Sequence, residues 1–398
     1  MSRPPPNPSH LLRSHSSRVN ALWFSADNER LYSGDTAGMV MITSTRTLRS
    51  IASWKAHDDG VLGVEEWNDR VLTHGRDNKL HVWSLIRETA ARVREAASQP
   101  GLPTPTLKYS MDVNALNYCR FSLMSLSNSP GEGKTALLAL PNLIESSLAD
   151  VWELPSQKRL HAAIGKDGSK DMPSVDGRGN SATGIIMSMH LFSSPHPNQP
   201  DKTRLKLLSA YENGEVILRE FTRTDKETSV EGISWEVMWR SKLHVESIMA
   251  MAVSRDHSLA LTVSADNLIG RHDILVQETK GVDGCSAHRT KYAGNACVAI
   301  RDDGKVCAVG GWDGKIRLYS TKSLKPLGTL DYHKKSCQTL AFAHSSGVMQ
   351  PKPSDAEDYD SEDEMLPDEY EARGRWLVAG SEDSRVSIWP LITFDHQS

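Results

Sequence analysis

Histidine and cysteine are the first residues to test for chemistry, because imidazole and thiolate hold metals, carry protons and attack carbonyl carbon. The 398-residue sequence contains 15 histidines and five cysteines. They include no H-E-x-x-H stretch and no Cys/His cluster at zinc spacing. Cys119, Cys285, Cys297, Cys307 and Cys337 are odd in number and hold no C-x-x-C pair. That argues against a disulfide framework and for a reducing compartment, cytosol or nucleus. No G-x-S-x-G nucleophile elbow occurs. In SPGEGKT (Ser129–Thr135), Gly133-Lys134-Thr135 matches the end of a phosphate loop, yet Asn128 occupies the place of the required first glycine. The segment reads as a polar loop between strands. The expectation is a non-enzymatic protein with no catalytic residues, no cofactor and no metal.

The histidines instead keep fixed distances to other side chains. Residues 55–83 read KAHDDGVLGVEEWNDRVLTHGRDNKLHVW. Counting from Asp77, Thr73 stands at −4, Trp83 at +6 and His57 at −20. Between these anchors lie three alternating apolar runs separated by polar turns, the pattern of three antiparallel strands. The offsets −4 and +6 recur around Asp383 (Ala379, Trp389), Asp266 (Thr262, His272, with His244 upstream) and Asp313 (Val309, Tyr319). They recur again around Asn213 (Ser209, Arg219) and Ala37 (Ser33, Thr43, with His15 upstream). A degenerate unit, LALPNLIESSLADVW, puts Trp152 at +6 from Ser146. Successive units lie 40, 69, 67, 53, 47 and 70 residues apart. The shortest spacing fits the roughly 40–45-residue period of a propeller blade.

This His…Ser/Thr…Asp…Trp spacing resembles the WD-repeat β-propeller family. The resemblance implies an all-β, seven-bladed WD40-type β-propeller with long loop insertions. It also implies that His57, Thr73, Asp77 and Trp83 form a hydrogen-bonded relay bracing their blade. The expected organisation is one domain over residues 1–398. The N-terminal segment PSHLLRSH is expected to supply the strand that completes the last blade, since the sequence ends nine residues after Trp389 and closure removes an exposed edge. Insertions are expected at about 84–105, 127–134, 165–182 and 193–203, with an acidic loop at 345–374, where the composition turns to Pro, Gly, Ser or acid. Loops absorb such length cheaply, because closure entropy grows slowly with length.

In that family's geometry, the residue before the turn acid faces a common partner surface. Arg76, Glu212, Trp312 and Glu382 occupy that place, and Trp and Arg are enriched in binding hot spots. They are the candidate partner surface. Charge adds a second feature. The formal net charge is −4, from 46 basic and 50 acidic residues. Residues 355–371 hold ten of those acids and no Lys or Arg, which leaves the remainder at a formal +6. That excess is too diffuse for a dedicated nucleic-acid face, so no sequence-specific nucleic-acid binding is expected. Ser354 and Ser361 each precede a glutamate by three residues (Glu357, Glu364). They are candidate phosphorylation sites, each adding about 1.5–2 negative charges. No apolar run approaches the ~18 residues of a spanning helix, and no membrane partner is expected.

Longer stretches carry a narrower resemblance. SGDTAGMVMI, TLRSIASWKAHDDGVLGVEEW, THGRDNKLHVW, ADVWELPSQKRL, GNACVAIRDDGKVCAVGGWDGKIRLYS and YHKKSCQTLAF together resemble the fungal ASTRA-associated WD-repeat family, relatives of the animal G-protein β-subunit-like proteins. The resemblance implies a non-catalytic scaffold among the protein subunits of a multi-subunit nuclear complex, the ASTRA complex. It implies a link to chromatin remodelling and to maturation of phosphatidylinositol-3-kinase-related kinases, and a location in the nucleus, with the cytoplasm second. The alternative is a histone-tail or chromatin reader at the central channel, with Glu212, Trp312 and Glu382 supplying acidic and aromatic groups. A G-protein β-like role would want a coiled-coil helix before the first blade, where this sequence has a short proline-rich segment.

Overall fold

The computed structural model describes residues 6–86, 101–116, 118–126, 135–166, 183–196, 199–223, 225–277, 284–345 and 367–392. Seven four-stranded antiparallel sheets build it, the blades of a seven-bladed β-propeller. The chain gathers into two compact units. Met1–Thr73, His81–Tyr109 and Ala299–Ser398 form one, and His74–Leu80 with Ser110–Val298 form the other.

The first unit holds the first and seventh blades and most of the second and sixth. In the first blade, Val19–Phe24, Arg30–Asp35, Met39–Ser44 and Ser50–Lys55 pair in chain order. The seventh blade takes Cys337–Phe342, Trp376–Ser381 and Val386–Pro390 from the end of the chain, and its outer strand is His10–Leu12 from the beginning. Leu11 pairs there with Ser387. Neighbouring blades share apolar cores. Val19, Leu22, Phe24 and Leu31 pack with Val378, Val386 and Ile388, and Tyr32, Val40, Ile42 and Trp54 pack with Val61, Val64, Val71 and Trp83. Two of these blades meet closely enough to require glycine. A Cβ on Gly34 would lie 2.6 Å from Val61 Cγ1, the first residue of the next blade's first strand.

The second unit holds the third, fourth and fifth blades. Leu137, Val151, Ile186, Leu191, Leu207 and Trp235 fill the core between the third and fourth. Phe192, Leu208, Val216, Trp239, Ile248 and Ile274 fill that between the fourth and fifth.

The repeat is written into the backbone as well as the side chains. The residue after each unit's reference position has positive φ in five blades: Gly38 (80°), Asn78 (61°), Gly214 (86°), Gly314 (77°) and Ser384 (63°). Such a φ closes a short turn between the second and third strands at least cost for Gly or Asn. The glycines have a further constraint. A Cβ on Gly38, Gly214 or Gly314 would stand 2.0, 2.3 or 2.4 Å from the carbonyl oxygen of His57, His244 or His333 respectively. Each turn thus receives the backbone of the histidine that leads into the following blade.

Three expectations need correction. Within 193–203, residues 193–196 and 199–203 are strand rather than loop. Ile186–His196 and Gln199–Tyr211 are strands, and Pro195 pairs with Thr203 near the tip of that hairpin. The prolines suggested a break, but the ladder tolerates proline where no N–H is demanded. Residues 346–366 of the acidic insertion lie outside the described residues, and its end is a short helix rather than loop, Pro367–Arg373, with Asp368 and Glu369 in its first turn and Arg373 in its last, the charge order that a helix dipole favours. Its Tyr370 and Arg373 are buried. Finally, Trp152 does not occupy a position equivalent to Trp83. The loop 142–148 is longer than its counterpart 36–38, so counting from the turn places the tryptophan one residue out of step. A one-residue slip moves a side chain to the other face of a strand. Trp152 pairs opposite Leu138 and is half-buried, with the Arg159 guanidinium 5.6 Å from its ring centre. Segments 127–134 and most of 84–105 and 165–182 lie outside the described residues.

Candidate interaction surface and the relays that fix it

Four blades contain a buried chain of polar side chains. In the second, Thr73 Oγ1 lies 2.8 Å from His57 Nε2 and 2.9 Å from Trp83 Nε1. Asp77 stands in the turn that follows, where its Oδ1 accepts from the Lys79 amide at 3.3 Å. In the first, His15 Nδ1 is 2.8 Å from Asp35 and its Nε2 is 2.7 Å from Ser33 Oγ. In the fifth, His244 Nδ1 is 3.0 Å from Asp266 Oδ2, and its Nε2 is 2.9 Å from Thr262 Oγ1. Thr262 is in turn 3.1 Å from His272 Nε2, which takes the place of tryptophan. In the seventh, His333 Nδ1 is 3.0 Å from Asp383 Oδ2, its Nε2 is 2.8 Å from Ser387 Oγ, and Trp389 Nε1 donates to Ser387 at 2.8 Å.

Proton directions follow from the two ends. A carboxylate only accepts and an indole N–H only donates. So Trp389 donates to Ser387, Ser387 donates to His333 Nε2, and His333 Nδ1 donates to Asp383. The fifth blade obeys the same order, with His272 carrying its proton on Nε2 and its Nδ1 free to accept from the Cys285 thiol at 3.4 Å. Asp–His–Ser connectivity is that of a hydrolytic triad, but Ser33, Thr73, Thr262 and Ser387 are all buried. In the second and seventh blades the hydroxyl oxygen also accepts an indole proton. These groups brace the fold.

The electrostatics agree. Burial pushes Asp35 up, but the His15 hydrogen bond and the amides of Met39 and Ala37 outweigh it, and its carboxyl lies below the usual range. Burial pulls His272 down to about 3, helped by neighbouring His244, and pulls His333 down against the attraction of Asp383. Burial also raises the Cys119 and Cys307 thiols to about 12, which keeps them protonated and unreactive.

The remaining blades use other links. Arg219 donates to Tyr211 Oη at 2.8 Å in the fourth. Asp313 pairs with Arg317 at 2.5 Å in the sixth. In the third, Asn142 Nδ2 donates to the buried Asp150 at 2.9 Å.

Arg76, Glu212, Trp312 and Glu382 each open the turn between the second and third strands of their own blade, and all four are exposed. In the second unit, the Arg76 guanidinium lies 4.1 Å over the ring of Tyr118, itself 56% exposed. Glu212 there stays near the Ile185 amide at 3.4 Å. In the first unit, Trp312 is 51% exposed, and the Glu382 amide donates to the Ser336 carbonyl at 3.0 Å. Ser354 and Ser361 lie outside the described residues.

Sequence spacing missed several participants. Asp35 acts two residues before the expected acid position, signalled only by the Ser-Gly-Asp-Thr string. His333 and Ser387 were hidden because Ala379 fills the usual hydroxyl position. Ser387 is the cross-strand partner of Ala379, so the hydroxyl has changed strands without leaving the relay.

Comparison with known proteins gives a consistent picture. The family model described as ASTRA-associated protein 1 matches residues 8–364. The ASTRA-associated protein 1 of Verticillium alfalfae is 32% identical over 97% of this chain and 93% of its own length. That of Schizosaccharomyces pombe is 26% identical over 97% of this chain and 99% of its own. The mouse guanine nucleotide-binding protein subunit beta-like protein 1 is 25% identical over 98% and 97%.

Proposed function

We propose, because the chain belongs to the ASTRA-associated protein 1 family, that it is a non-catalytic scaffold subunit of the ASTRA complex. The observation that carries this reading is the similarity to ASTRA-associated proteins along almost the whole of both chains. The site geometry supports it. Serine, histidine and aspartate are committed to buried relays, whereas arginine, glutamate and tryptophan stand exposed on short turns. Rigid frames that present variable turns suit binding of several partners at once.

Within that role the chain serves chromatin remodelling and maturation of phosphatidylinositol-3-kinase-related kinases, and it works in the nucleus. Rapid depletion in native cells, followed by quantitative mass spectrometry, tests this. The abundance of those kinases falls selectively while unrelated kinases hold. Unchanged kinase levels would contradict the maturation role, and exclusion of a fluorescently tagged chain from the nucleus would contradict the location.

A further inference from the structure

We propose that Trp312, Lys334 and Lys335 form a docking site for an acidic, carboxylate-rich peptide segment of a partner subunit. The inference rests on the scaffold reading above and assigns a chemistry to one of its surfaces.

All three residues belong to the first unit. Residues 332–336, Tyr-His-Lys-Lys-Ser, connect the last strand of the sixth blade, Pro326–Asp331, to the first strand of the seventh, Cys337–Phe342. This connection is held along its length. The His333 side chain is anchored to Asp383 and Ser387. The His333 and Lys335 carbonyls abut the Trp312-Asp313-Gly314 turn, where a Cβ on Gly314 would lie 2.4 and 2.8 Å from them. Ser381 Oγ donates to the Lys335 carbonyl at 3.2 Å, and Arg385 Nη1 donates to Tyr332 Oη at 2.8 Å. The Lys334 and Lys335 side chains take no part in this bracing. Both are exposed, and neither ammonium has a partner among the described residues.

A half-exposed tryptophan therefore sits on a turn that touches a braced backbone carrying two uncommitted cations. Preorganised backbone lowers the ordering cost of binding, and tryptophan is the side chain most enriched in hot spots. Most nearby carboxylates are already engaged. Asp313 faces Arg317, Asp331 faces Lys315, and Asp383 faces His333. Glu382, exposed beside Ser336, stays uncommitted. It limits how far a run of acids can extend past the lysines, and so sets the register of the bound segment. Two lysines are too few to hold a phosphate backbone, whose affinity comes from concentrated positive charge, but they suffice for a short peptide with acids beside an apolar side chain that reaches Trp312.

The test is zero-length carbodiimide coupling in the affinity-purified assembly, which joins lysine amines only to carboxylates in contact. An amide from Lys334 or Lys335 to an Asp or Glu of a partner subunit is expected. Coupling to this chain's own residues 355–371 would overturn the proposal. So would no coupling at Lys334 and Lys335 while exposed Lys55 or Lys291 reacts, or loss of the partner on nuclease treatment. The double variant K334E/K335E, on exposed side chains, should lower recovery of the coupled partner about tenfold, as should Trp312→Ala. The variant K334R/K335R should keep the partner and lose the coupling, and Glu382→Lys should raise recovery. If wild type recovers the assembly but K334E/K335E recovers it equally, the docking site falls and the scaffold stands. If wild type recovers no assembly, both fall.

Discussion

At the scale of single residues, the molecule turns reactive side chains into bracing. Hydroxyl, imidazole and carboxylate lie in the order of a catalytic triad, but the hydroxyls are buried, and in the second and seventh blades the hydroxyl oxygen also accepts an indole proton. Ser387 shows how little depends on which strand carries the oxygen. Ser387→Ala leaves His333 Nε2 and Trp389 Nε1 without the partner they share, and unmade buried hydrogen bonds cost about 1–3 kcal/mol each. Thermal or urea unfolding should show a loss of about 2–6 kcal/mol. Adding Ala379→Ser, on the opposite residue of the ladder, should recover at least half of it; no recovery would mean that the hydroxyl is not exchangeable between strands. His272 sets a pH dependence. Its folded value of about 3 is far below the ~6.5 of an exposed imidazole. The unfolded chain therefore binds a proton that the folded chain refuses between those values, so stability is full above ~6.5 and declines as pH falls toward 3. His272→Gln, which retains an N–H for Thr262, should shift acid unfolding to lower pH. An unchanged acid transition would sink this assignment. His57, Thr73 and Trp83 were legible from spacing because their unit keeps the full set of residue types. Asp35, His333 and Ser387 were not, because the same contacts are made from displaced positions.

At the scale of strands and turns, alternation fixes which face a residue takes and the turn fixes the count. Where the turn between second and third strands keeps a positive-φ Gly, Asn or Ser, counting from it locates every strand residue. The longer loop 142–148 defeats that count at Trp152, and the Pro-bearing hairpin tip at Pro195 disguises strands as loop. Blade-to-blade packing was invisible in the sequence, because it pairs residues far apart along it. Gly34 and Val61 illustrate the point. Gly34→Ala should cost about 1–3 kcal/mol by overpacking. The G34A/V61A double variant should cost less than the sum of its two single changes, by about 1 kcal/mol in a double-mutant cycle. Strict additivity in denaturant unfolding would show that the two side chains do not meet.

At the scale of the whole molecule, seven repeats and their order were readable despite only one complete signature. Repetition supplies the same inference several times, and errors in single units do not change the blade count. Partners were not readable from physics, since a scaffold's chemistry is spread over turns that differ in every blade. Family membership supplies the candidate assembly, and the charge split between the acidic run 355–371 and the mildly basic remainder supplies a reason to expect salt-sensitive contacts. The most direct measurement is affinity purification of the tagged full-length chain from its native cells, with mass spectrometry of what remains bound. A scaffold subunit should return a reproducible multi-subunit assembly containing the other ASTRA components. Recovery of the chain alone, or with histones alone, would contradict it.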